Sequence, residues 1–252
     1  MRIGMICYPS YGGSGVLAAE LGNALARRGH AVHFIAYDPP VRMADTVEGV
    51  IYHEVTLPSY PLFKYPPYLL AMATKLAECA EAEELDLVHV HYAIPHTIAA
   101  LLGRELLAGR PLPVITTLHG TDVTLVGRDP AFFRLVQYAL GRSDAVTAVS
   151  ESLASDTRRL FGHSGPIRVI PNFTDPERFH PQALCRCRAA LGPPGDRLLI
   201  HVSNFRPVKK TPDVVSLFER GAGCLPAQLL MVGAGPEEPR CRALAKTGRA
   251  HA

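Results

Sequence analysis

The sequence predicts an α/β protein built on a parallel sheet. Apolar strand-like runs alternate with amphipathic helix-like segments from the first residue. A glycine-rich turn, Gly12-Gly13-Ser14-Gly15, joins the first strand to the first helix. A proline-rich break near residue 172, after which the alternation restarts, predicts a second unit. With 252 residues and 48% hydrophobic content, the chain is long enough to bury substantial cores in one or two domains.

Strands are predicted near 2–8, 31–37, 50–56, 86–91, 113–118, 144–149 and 167–170, with helices between most of them and on both faces of the sheet. The first helix, 16–28, stacks Leu17, Leu21, Ala24 and Leu25 on one side, leaves Glu20, Asn23, Arg27 and Arg28 on the other, and stops at Gly29. Leu57 to Pro67 holds four prolines, Pro58, Pro61, Pro66 and Pro67, among Tyr60, Phe63 and Tyr65; it is expected to be a loop packed by its own aromatics. The stretch from Pro171 to Pro181 reads as a linker. Beyond it come a strand at 197–204, a helix at 211–220, a strand at 227–232 and a second glycine turn, Gly233-Ala234-Gly235. The predicted division is 1–172, then a linker and connecting helix at 173–195, then a partial unit at 196–252, whose two strands and two helices are too few for a sheet covered on both faces.

A formal charge of +3 without a basic run argues against nucleic acid as a partner. Met1 to Pro9 carries one charge and a short apolar run cut by proline, so it reads as a first strand and not as a signal peptide, with no membrane span expected and a cytoplasmic location. Six cysteines, Cys7, Cys79, Cys185, Cys187, Cys224 and Cys241, are scattered without a C-x-x-C pair and read as reduced thiols; the spacing of Cys185 and Cys187 on a helix sends them to different faces.

The first glycine turn is an anion site by composition. Bare backbone at Gly13 and Gly15 lets oxygens approach unpaired N–H groups at the positive end of a helix, and Ser14 is expected to cap that helix. Ligands of open α/β sheets lie beyond the carboxyl ends of the strands. There the sequence places His91 and Tyr92, then Thr117 with His119-Gly120-Thr121-Asp122, then Ser150 and Glu151, then Asn172. Thr121 and Asp122 also suit plain capping of the segment that follows. His89 alternates with His91 along a strand, so at least one of the two reads as a satisfied interior histidine, and His89 is assigned no function. After the first strand of the second unit, Arg206, Lys209 and Lys210 suit a diphosphate, or else form a solvated basic loop. No D-x-D triplet occurs, so no carboxylate pair for a divalent metal is evident.

The segments Cys7 to Gly15, Phe63 to Tyr68, His91 to His96, Thr116 to Asp122 and His201 to Arg206, in that order, resemble the GT-B glycosyltransferases that open bacillithiol biosynthesis. The resemblance implies a complete N-terminal Rossmann-like domain and a partial second one, which in that family face each other across a cleft. It implies retaining transfer of N-acetylglucosamine from UDP-N-acetylglucosamine to the hydroxyl of L-malate, with no cofactor and no metal. Gly13 and Gly15 are then expected to line the donor phosphates, with Arg206 and Lys209 neutralising them. Ser14, Tyr92, Thr117 and Asn172 are expected to face the acceptor, and His119 to sit by the transferred sugar as a positioning or polarising group. The resemblance also implies self-association. The family's paired-glutamate motif does not follow Glu238, so little transferase activity is expected from this chain alone.

Two other readings fit the residues. Gly13-Ser14-Gly15-Val16-Leu17-Ala18 satisfies G-x-G-x-x-A with Asp38 at the end of the second strand, the fingerprint of a nicotinamide-dependent oxidoreductase. The third is a non-catalytic remnant that binds malate or dimerises.

Overall fold

The computed structural model describes residues 1–252 except 44–46, 58, 182–187, 194, 222–225, 246–249 and 252, and leaves aside the side chains of 189, 250 and 251. The chain divides into two compact units, Met1–Phe173 and Thr174–Ala252.

The first unit is a seven-stranded parallel sheet of order β3-β2-β1-β4-β5-β6-β7. Its strands are β1 (Arg2–Ile6), β2 (Ala31–Ala36), β3 (Val50–Glu54), β4 (Leu87–His91), β5 (Val114–Leu118), β6 (Ala145–Ala148) and β7 (Ile167–Val169). Each strand lies inside its predicted window. The helices are α1 (Gly13–Ala26), α2 (Tyr68–Ala82), α3 (Ile98–Glu105), the short α4 (Thr121–Thr124), α5 (Pro130–Arg142) and α6 (Glu151–Phe161). Two of them start and stop as local chemistry dictates. Asp129 accepts a hydrogen bond from the Ala131 N–H ahead of α5, with Pro130 at its first position, while Ser150 accepts from Leu153 N–H at the start of α6 and left-handed Gly162 ends it.

The strand order reverses between β1 and β4, and this switch point puts a crevice at the carboxyl end of the parallel sheet, beside the start of α1. Coverage of the two faces is unequal, which departs from the even layering predicted. Val88, Val90, Val114, Leu118 and Val146 pack with α2, α3, α5 and α6. On the other face Met5, Cys7, Val32 and Phe34 pack against α1. From β4 to β7 that second face instead lines a cavity of about 430 Å³, bounded by Leu17, Leu21 and Leu25 of α1.

The loop before α2 is only partly packed by its own rings. Tyr60 and Phe63 meet edge to face at 5.5 Å, yet Leu62 and Tyr65 are 81% and 72% exposed. Pro58 lies outside the described residues.

The second unit contains β8 (Arg197–Val202), α7 (Thr211–Gly221), β9 (Ala227–Val232), α8 (Glu238–Leu244) and β10 (Ala250–His251). The sheet order is β10-β9-β8, all parallel, so the unit has a third strand that the sequence reading did not foresee. Two residues are too few to show a period, and only pairing with β9 reveals them. A small core of Phe205, Val215, Phe218, Leu229, Met231 and Cys241 holds it. Cys7, Cys79 and Cys241 are buried free thiols, and Cys185, Cys187 and Cys224 lie outside the described residues. Among the described residues no helix is long and apolar enough to cross a membrane.

Candidate active site

The helix after β1 begins at Gly13, three residues earlier than predicted, with Gly12 as its cap residue and no side chain capping it. Ser14 therefore does not cap α1. It lies inside the first turn, where its own backbone is already helical. The first backbone bond into the helix is Val16 N–H to Gly12 O, so the N–H groups of Gly13, Ser14 and Gly15 precede the helical ladder. The two flanking glycines differ. A Cβ on Gly13 would meet nothing within 4 Å, whereas one on Gly15 would lie 2.3 Å from Tyr8 O and 2.8 Å from Ser10 O. Gly13 is open to a ligand; Gly15 lets helix and strand end approach.

Across the crevice, β4 and β5 bring His91 and His119 together. His91 Nδ1 lies 2.9 Å from His119 Nε2, with ring planes 24° apart. The His89 and His91 ring centroids are 4.6 Å apart, and Tyr92 lies near His119 at 5.6 Å. Burial pushes His89, His96 and His119 down to about 4 and His91 well below the ordinary histidine range, so the rings are neutral at pH 7. A neutral His119 offers hydrogen bonds to its surroundings and no charge.

Asp122 is the clamp of this region. Its Oδ1 accepts from the N–H of His119 (3.2 Å) and Gly120 (2.9 Å), and its Oδ2 accepts from Ala93 N–H at 3.2 Å. Full burial raises its pKa while those bonds oppose the rise. The carboxylate thus ties the β4 and β5 loops together, with Gly120 at φ 122° making the bend. Tyr92 Oη pairs with Thr121 Oγ1 at 2.8 Å.

Thr117 and Asn172 both border the cavity on the α1 face, together with His89 and His91. The Thr117 hydroxyl is occupied within the protein, 2.7 Å from His89 Nε2 and 2.7 Å from Thr147 Oγ1. His89 is satisfied by that contact, as its alternation with His91 suggested. Of the four residues expected at the acceptor, Thr117 and Asn172 share the cavity, Tyr92 stands beside His119, and Ser14 lies on α1.

In the second unit, Arg206 and Lys209 are exposed on the loop between β8 and α7, whose short turn Pro207–Lys209 ends at left-handed Lys210. Phe205 N–H donates to Ala234 O and Glu237 N–H to Phe205 O, so this basic loop is sewn to the second glycine turn.

Among the described residues one group has ligand atoms close enough for a metal: His33, His53 and Glu83, all within 4.8 Å of one another. The two histidine nitrogens are 3.0 Å apart and the ring centroids 5.2 Å, which is that distance plus about 1.1 Å from each nitrogen to its ring centre. The rings therefore meet edge to edge in an N–H···N bond, in which one nitrogen's N–H points at the other's lone pair and neither points at a common third point.

The His91–His119 contact and the triple acceptance by Asp122 were not readable in the sequence. The alternation of His89 and His91 on one strand was the only available signal for the first.

Residues 11–178 match the profile of Glycosyltransferase Family 4. The chain belongs to that family. The chain is 44% identical over 238 residues to the N-acetyl-alpha-D-glucosaminyl L-malate synthase of Bacillus anthracis, covering 94% of this chain and 62% of that protein. A D-inositol 3-phosphate glycosyltransferase of Mycolicibacterium paratuberculosis is 28% identical, covering 89% of this chain and 54% of that protein. The chain thus spans less than two thirds of the length of these relatives. Among solved structures, Anabaena HepE in complex with UDP and glucose superposes with a TM-score of 0.75 at 16% identity, over 99% of this chain and 68% of that one. Sucrose-phosphate synthase from Thermosynechococcus elongatus gives 0.71 at 22% identity, over 100% and 69%. These likenesses are of fold, and they place this family 4 chain in the GT-B class with Rossmann-like units. The family match leaves the G-x-G-x-x-A run without a nicotinamide reading.

Proposed function

We propose that this chain is the acceptor-binding domain and part of the donor domain of a retaining glycosyltransferase that moves N-acetylglucosamine from UDP-N-acetylglucosamine to the hydroxyl of L-malate. The observation that carries this is the 44% identity to the Bacillus anthracis synthase over 94% of the chain. The open amide turn at Gly13 supports an anionic ligand at the start of α1. Arg206 and Lys209 supply cations for the donor diphosphate, offsetting charge on the departing UDP without a metal.

The bond from the anomeric carbon to the phosphate oxygen breaks, and the malate oxygen bonds to that carbon from the same side. The departing phosphate takes the malate hydroxyl proton. His119, neutral at pH 7, orients the sugar. Tyr92, Thr117, Asn172 and Ser14 are the acceptor candidates, and Gly15 supplies backbone beside the donor.

The test is binding and turnover together. L-malate should perturb the chain's NMR spectrum where succinate, which lacks the hydroxyl, perturbs it less. With UDP-N-acetylglucosamine and L-malate supplied together, mass spectrometry reads any N-acetylglucosaminyl malate formed. NADH binding with no response to UDP-N-acetylglucosamine or malate would overturn the reading.

A further inference from the structure

His91 is buried, 1% exposed, and its ring faces the one histidine assigned to the sugar. The pair has the geometry of a direct hydrogen bond. Nδ1 of His91 and Nε2 of His119 are 2.9 Å apart, and the 5.1 Å between ring centroids is that distance plus about 1.1 Å on each side, so the two nitrogens point at each other. One proton lies between them, and its owner decides what His119 can offer on its other nitrogen.

Only two neutral arrangements exist. If His119 donates from Nε2, His91 must carry its own proton on Nε2. That atom is fully buried and has no hydrogen-bond partner among the described residues, so an N–H would be stranded. If His91 donates from Nδ1, the stranded atom is an unprotonated nitrogen. Buried N–H groups without an acceptor are the rarer and costlier defect. A doubly protonated His91 is disfavoured by its burial among the neutral rings of His89, His96 and His119, with the nearby Asp122 carboxylate already engaged by three backbone N–H groups. The His91 ring is enclosed: the residue is 1% exposed, and the His89 ring centroid lies 4.6 Å from its own. Its backbone oxygen accepts from His96 Nδ1 at 2.8 Å, and His96 Nε2 in turn faces the Tyr68 hydroxyl at 3.1 Å.

We propose that His91 is a positioning residue that donates from Nδ1 to His119 Nε2 and so holds His119 in the tautomer with its proton on Nδ1. His119 then presents a hydrogen-bond donor to an oxygen of the nucleotide sugar and cannot act as a base there. What His119 faces rests on the proposed function; the tautomer does not.

Nitrogen-15 NMR of the histidine rings tests this directly. In the wild-type chain His119 should show a protonated Nδ1 and an unprotonated Nε2 at pH 7.5. His91→Leu removes the donor and should move His119 toward the Nε2–H form that free histidine prefers in water. His91→Asn, whose amide N–H replaces the ring donor, should restore the wild-type pattern. A wild-type His119 protonated on Nε2 overturns the proposal, whether or not either variant folds. So does a Leu variant that keeps the Nδ1–H form. Added UDP-N-acetylglucosamine separates the two claims: a correct tautomer whose Nδ1 signal ignores the nucleotide sugar counts against the proposed function and leaves the His91–His119 pair standing.

Discussion

The two glycine turns of this chain look alike in sequence and do different work. In the turn after β1, Gly13 faces empty space while Gly15 lies against the backbone of Tyr8 and Ser10. In the turn after β9, neither glycine is open: a Cβ on Gly233 would lie 1.8 Å from Ser203 O, and one on Gly235 would meet the Phe205 backbone at 2.7 Å. Both of the latter also have positive φ, 144° and 155°. A glycine in such a turn therefore need not face a ligand: three of these four lie against the protein's own backbone, and one faces open space.

That contrast yields graded expectations. Gly233→Ala combines a backbone clash with a disfavoured φ and should destabilise the second unit by about 3 kcal/mol or more, visible as early loss of its transition in urea. Gly15→Ala, strained by the clash alone, should cost about 2 kcal/mol, read from the unfolding midpoint of the first unit. A midpoint unchanged in Gly15→Ala would mean that the helix start yields more easily than its packing implies.

Acidification probes the crevice beside the first turn. The folded pKa values of His89, His96 and His119 lie near 4, below the unfolded value of about 6.5, so the unfolded chain takes up protons first as pH falls. Stability is complete above about 6.5 and declines on the way to 4. Each such histidine should remove about 1 kcal/mol by pH 5.5, and His119→Gln should flatten the slope of a stability-against-pH plot by one histidine's share. The smallest effect belongs to Gly13→Ala. It should leave stability within about 0.5 kcal/mol, or raise it slightly, because alanine suits a helix and finds no clash. Its signature is weakened binding of UDP-N-acetylglucosamine or malate in a calorimetric titration. Unaltered binding would remove Gly13 from the ligand site.

Much of the fold could be read directly because its signals are local. Val32 to Ala36 and Val88 to Val90 are apolar strand runs, and Leu17, Leu21 and Leu25 share one side of a helix. The site was legible as a set of residues and not as a set of contacts. His119 and Asp122 stood out as polar residues at a strand end, but nothing local shows that Asp122 grips Ala93, which is 29 residues away. Ser14 was misplaced because helix starts rest on backbone angles that glycine leaves undetermined.

The amino-acid sequence determined the order of strands and helices, the break into two units and the chemistry gathered at the strand ends, since periodicity, capping and turn preferences act between near neighbours. Tertiary structure decided which glycine faces open space, which hydroxyl is already engaged, and that His91 meets His119 at 2.9 Å. Those outcomes depend on parallel strands pairing in one register across dozens of residues, and register is a property of the assembled sheet.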